Sequence, residues 1–125
     1  MASCTATTDF LQDVPAVHNL QEWVDAAMPT LKRTVGAEKA LVTDPPLDYD
    51  HVSEFVNAYG GLYLKLGVQD AQHTDYGKIV PTPGGRGLVP NHNSRFHIND
   101  DGLRTGVRLH CHMAYDHLKG TLTPQ

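Results

Sequence analysis

The sequence predicts an α+β fold in which N-terminal helices pack on a C-terminal curved antiparallel sheet. Three observations carry that expectation. Apolar residues recur at helical spacing through the first half of the chain, in Val17, Leu20, Val24, Ala27, Met28 and Leu31 and again in Val52, Phe55, Val56 and Tyr59. Breakers bound those runs, with Asp44-Pro45-Pro46 between them and Gly60-Gly61 after the second. Finally, Ser94 to Ala114 reads as two β-type runs around Asp101-Gly102, a strong short hairpin signal because a type I′ turn needs positive φ at both central residues.

Each element follows in order. Residues 1–12 are small and polar and are expected to fray. Asp13 and Pro15 mark a helix start, Pro29 should kink or restart that helix, and Gly36 should cap or break it. Asp50 can cap the second helix, which should end near Tyr59, since two glycines inside a helix cost roughly 2 kcal/mol relative to alanine. Leu62, Leu64 and Leu66 alternate with Tyr63 and Lys65 and read as a strand. Val68 to Asn93 is irregular, with a short strand at Lys78–Val80 and a flexible turn at Gly84-Gly85-Arg86-Gly87. In the hairpin, Leu103, Thr105, Val107, Leu109, Cys111 and Met113 share one face, while Arg104, Arg108, His110 and His112 share the other with Arg95 and His97.

Composition bounds the function. With 125 residues, 40% apolar and 19% charged, the chain fits a single domain, 1–125. The net charge of -4 is unevenly spread: residues 1–62 hold nine acids against three bases, and residues 63–125 hold five acids against seven bases and six of the eight histidines. That mild basic excess suits a small anionic or polar ligand and is too weak for a nucleic-acid footprint. No run suggests a membrane span or a signal peptide, and two cysteines read as reduced thiols, so a cytoplasmic, soluble protein is expected.

The leading expectation is a small enzyme or binding protein presenting a His/Arg sheet face to a compact organic molecule. His92 and His110 would act as acid–base groups, with Arg95 and Arg108 clamping the anion, in isomerase-, dehydratase- or cyclase-type chemistry without a cofactor. If the face were instead structural, Arg108 would pair with Asp48, Asp50 or Glu54. Two histidines at i and i+2 on a strand lie about 7 Å apart on one side. His110 and His112 could therefore share a divalent transition metal with Asp116 as a further ligand. A third reading is a non-catalytic interaction or assembly subunit, and a homo-oligomer stays open throughout.

Three family resemblances attach to these residues. His110, His112 and Asp116 resemble the first motif of the cupin family, which would imply a His-ligated metal. The His-hydrophobe-His run with Tyr115 and Lys119 resembles the motifs of HUH nucleases, although in that family the tyrosine lies on a separate, later helix. Over residues 90–114, His92, Phe96, Ile98, the Asp101-Gly102 turn and the run Arg104 to Met113 resemble the histidine-strand-turn-strand segment of SnoaL-like members of the NTF2-like superfamily. That resemblance implies a cone-shaped α+β fold, cofactor-free isomerase, dehydratase or cyclase chemistry, and His92 in the position of the family histidine.

Overall fold

The C-terminal third departs furthest from expectation. In the computed structural model, which describes residues 3–10, 12–43, 50–74 and 78–124, there is no hairpin at Asp101-Gly102. Asp100–Leu118 forms one continuous helix instead. The described residues contain helices α1 (Gln21–Val35), α2 (Val52–Tyr59) and α3 (Asp100–Leu118), with strands β1 (Ala71–His73) and β2 (Ile79–Pro81) between α2 and α3. The composition is α+β, and the one sheet formed by those residues is a two-stranded antiparallel pair with Gln72 opposite Val80.

The ends of α3 explain why it is a helix. Asn99 sits in extended conformation and its side chain accepts from the Asp101 N–H at 3.1 Å, satisfying a donor that the first turn cannot. Asp100 and Asp101 place two carboxylates at the positive end of the helix dipole. At the far end Gly120, at φ 72°, turns the chain, and the Thr121 and Leu122 N–H groups return to the Asp116 carbonyl at 2.9 and 3.2 Å. Gly102 lies in the first turn and is not among the glycines at positive φ, so its expected turn role is corrected. The less exposed residues of α3 are Gly102, Thr105, Gly106, Leu109, His112, Met113 and Asp116, a helical and not an alternating period.

The first half follows the sequence more closely. Helix α2 ends at Tyr59, and Asp50 steadies its start by accepting from the Val52 N–H at 2.9 Å. Helix α1 begins at Gln21, later than Asp13-Pro15 suggests, and runs through Pro29 without a break. Gly36 ends it at φ 95° with its N–H on the Lys32 carbonyl. Asp44-Pro45-Pro46 lies outside the described residues.

Residues 61–68 are not a strand. The chain here is extended and held by carboxamides that take the place of a ladder. Asn19 clasps both backbone groups of Tyr63 at 2.8 Å, and Gln69 does the same for Val89 at 2.8 Å. This segment runs along α3: Leu66 Cδ2 lies 3.0 Å from where a Cβ on Gly106 would stand, and Val68 Cγ1 lies 3.2 Å from the same point on Gly102. The two small residues let an extended backbone approach the helix closely.

Helices α1 and α3 are the main tertiary pair, and they run antiparallel. Arg108 and His112 meet Thr34, Asp116 meets Thr30 and Arg33, and the His117 ring lies 6.4 Å from that of Trp23. Among the described residues the buried apolar set is Ala27, Val56 and Leu122, joined by the polar Thr30, Thr34, Ser53 and Asp116. The chain exposes 10304 Å². A compact monomer of this mass would expose roughly 6600 Å².

Candidate functional site

Helix α3 carries two faces of opposite character. The inner face is a polar seam. Asp116, 7% exposed, accepts from the Thr30 hydroxyl and from the Arg33 guanidinium at 2.6 Å. The Thr30 bond first, then the bond from Arg33, lowers the Asp116 pKa below its ordinary value against the opposing effect of desolvation. One turn earlier, the Thr34 hydroxyl donates to the Thr30 carbonyl at 2.7 Å. With that proton committed, the His112 Nδ1, 2.8 Å away, is the donor to Thr34 Oγ1. A further turn back, Arg108 donates to the Thr34 carbonyl at 3.4 Å. Arg108, His112 and Asp116 recur every fourth residue, so successive turns of α3 are registered against α1 by specific hydrogen bonds.

The seam ends in a small cleft of about 260 Å³ lined by Trp23, Leu62, Met113, His117 and Leu122. Its walls are mostly apolar and it opens to solvent. His117 reaches across it to the Leu122 carbonyl at 3.2 Å, which ties the turn after α3 to the helix end.

The outer face is apolar and uncovered. Leu103, Val107, Cys111, Ala114 and Leu118 are all exposed, with Val107 at 64% and Leu118 at 86%. At about 100° per residue these five positions fall within an arc of roughly 80°. The spacing from Val107 onward is four, three, four, that of a helix seam that packs on another helix. Arg104 and Tyr115 flank it on one side.

The structure disperses the residues expected to act together. His92, at φ 62°, lies exposed in a turn at Asn91–His92, and Arg95 lies exposed in the following turn with its N–H on Asn93 Oδ1. Arg108 and His110 are both on α3 but two residues apart, which on a helix sets them on opposite sides. The expected opposition of Arg95 and Arg108 across a hairpin is corrected: no such register exists. Arg108 bonds to Thr34, with neither Asp50 nor Glu54, and Asp48 lies outside the described residues.

The proposed metal ligands are separated for the same reason. His110 Nδ1 turns back to the Gly106 carbonyl at 2.9 Å on the exposed side, while His112 and Asp116 face α1. No group of three or more His, Cys, Asp or Glu side chains among the described residues is placed to hold a metal ion. Both cysteines are free thiols, and no helix among the described residues is long and apolar enough to cross a membrane.

The sequence reading missed Thr30, Arg33 and Thr34, and it missed the outer stripe as a stripe. The signals were the Asn99 cap, the acidic first turn and the basic end of α3, which together mark a helix. No protein-family model, curated protein or solved structure matches the chain.

Proposed function

We propose that this protein is a non-catalytic interaction or assembly subunit that presents the outer face of α3 to another helix. One observation carries this reading: the longest helix turns His112 and Asp116 inward to α1 and its contiguous apolar stripe, Leu103 to Leu118, to solvent. In a self-sufficient domain the apolar face would be the covered one. The small buried set and the large exposed area agree with a chain that completes its core on a partner. The acid–base reading puts Arg95, Arg108 and His110 on one sheet face, and the metal reading does the same for His110 and His112; with Arg108, His110 and His112 on a helix, neither set shares a face.

Urea unfolding of the isolated chain at low concentration tests the proposal. The slope of stability against denaturant scales with the surface that unfolding exposes. A partner-dependent subunit should therefore unfold broadly, with a slope under about 1 kcal/mol/M, and should bind a hydrophobic dye before unfolding. A sharp transition with a slope ordinary for a domain of this length, and no dye binding, would overturn it.

A further inference from the structure

We infer that the occupant of the α3 outer face is α3 of a second copy of this chain, running antiparallel across a two-fold axis between His110 and Cys111. The inference rests on the interaction-subunit reading and names its partner.

The stripe is self-complementary in that direction. Residues equidistant from the midpoint between His110 and Cys111 are Leu103 with Leu118, Val107 with Ala114, and His110 with Cys111. Large apolar side chains therefore lie at both ends and small ones near the middle. Two copies related by a two-fold axis would set Leu103 of each against Leu118 of the other, while Cys111 and Ala114 allow the backbones to approach at the crossing. A stripe with its bulk at one end would have no such symmetry.

Charge selects the same orientation. The acidic pair Asp100 and Asp101 opens α3, and Lys119 caps its close. Antiparallel pairing brings each acidic end alongside the basic end of the other copy and sets the helix dipoles in opposition. Arg104 and Tyr115 lie on the same flank of the stripe, so Arg104 of one copy falls beside the Tyr115 ring of the other, whose own Lys119 lies 5.3 Å from the ring centre. Parallel pairing would instead bring the two acidic ends together and align the helix dipoles, which is repulsive. Every residue invoked is exposed in the single chain, so the pairing requires no rearrangement of the inner seam.

Sedimentation over a concentration series, with the full chain carrying Cys4→Ser, is the test. The mass should double from 13.7 kDa as concentration rises, and a short bismaleimide should join two copies through Cys111. Val107→Lys and Leu118→Glu should each return the chain to a monomer while leaving its far-UV circular dichroism unchanged, which separates lost pairing from lost folding. With Cys111→Ser added, a mixture of Leu103→Cys and Leu118→Cys chains should cross-link between the two variants. A dimer that survives both stripe substitutions, or that links Leu103→Cys to itself, would overturn the proposal. A monomer at every concentration that still unfolds broadly in urea would overturn the second copy as occupant and leave the interaction reading standing. A monomer with a sharp, ordinary transition would remove both.

Discussion

The two faces of α3 invert the usual arrangement of a surface helix. Inside, Arg108, His112 and Asp116 are spent on bonds to Thr34, Thr30 and Arg33, and glycines at 102 and 106 admit an extended segment. Outside, Leu103, Val107, Cys111, Ala114 and Leu118 are exposed, with Ala114 at the edge of the cleft that Trp23 and Leu62 also line. The inner face therefore specifies register within the chain, because hydrogen bonds tolerate little displacement. The outer face offers area without direction, which suits association. The seam to α1 is polar, Leu66 and Val68 set apolar groups against Gly106 and Gly102, and the outer apolar stripe is left exposed.

The sharpest way to break that contrast is to exchange losses between the faces at the same end of the helix. Asp116→Ala should abolish the α1–α3 pairing, read as loss of the Trp23 near-UV signal, because Thr30 and Arg33 lose their common acceptor. Leu118→Ala, two residues on, should leave that signal unchanged. The acid limb sharpens the same point. The Asp116 pKa is lowered in the folded chain, so its contribution is complete above the ordinary value of 3.8 and is lost as pH falls below 3.8 towards the depressed folded-state value. Wild-type chain should lose the Trp23 signal in that window, and Asp116→Asn should show no such acid dependence. An acid limb that survives Asp116→Asn would assign the dependence to another group.

Next in size is the wall behind the inner face. Gly60 sits at φ 74° and ψ 172°, a region open essentially to glycine, and a Cβ there would stand 2.7 Å from Trp23 Nε1. Gly60→Ala should destabilise by about 1–3 kcal/mol and shift Trp23 fluorescence, since the indole ring must move away from the cleft. Unchanged emission would mean that Trp23 is not held where the structure places it.

How much of this was legible depends on which assumption each element tested. The end of α2 at Tyr59, the Asp50 contact, the Gly36 cap and a strand near Val80 all follow from local backbone chemistry, and all are present. Val17 and Leu20 continue the apolar period of α1 and so predict an earlier start, yet Asn19 is committed to Tyr63, Leu20 is extended and the helix begins only at Gln21. Pro29 removes one helix hydrogen bond without ending α1. The hairpin failed for a deeper reason. Residues 103–113 alternate, two glycines lower helix propensity by roughly 2 kcal/mol, and the reading assumed that apolar residues face inward. The Asn99 cap and the acidic first turn favour a helix locally, and the polar seam to α1 secures it. With the helix in place, the His/Arg face dissolves, because i and i+2 no longer point the same way.

A smaller effect should come from the middle of the seam. Thr34→Val keeps the shape but removes the hydroxyl between the Thr30 carbonyl and His112. The expected loss is about 1 kcal/mol, the usual net value of one such bond with a partner left unpaired. Cys111→Ala, on the opposite side of the same turn, should change stability by under about 0.5 kcal/mol, as for ordinary surface positions. Equal losses from the two variants would erase the distinction between the faces at this level.

The smallest effects should separate the two inner glycines from each other. Both are helical, so replacing either by alanine gains helix propensity worth up to about 1 kcal/mol. What differs is the neighbour that the new methyl would meet. At Gly106 the nearest atom is Leu66 Cδ2 at 3.0 Å, the far end of a half-exposed side chain that can rotate aside. At Gly102 the methyl would lie 3.2 Å from Val68 Cγ1, 3.4 Å from Val68 Cα and 3.5 Å from the Gly67 carbonyl oxygen. That backbone is pinned, because the Asn99 N–H donates to the Val68 carbonyl at 2.6 Å. Gly106→Ala should therefore raise stability by a few tenths to about 1 kcal/mol, the propensity gain less a small repacking cost. Gly102→Ala should come out near zero or slightly destabilising, its propensity gain offset by the fixed contact. Urea midpoints of the two variants measured side by side decide the matter. If Gly102→Ala stabilises as much as Gly106→Ala, residues 67–68 do not press on α3, and the close approach of the extended segment to the helix start is wrong.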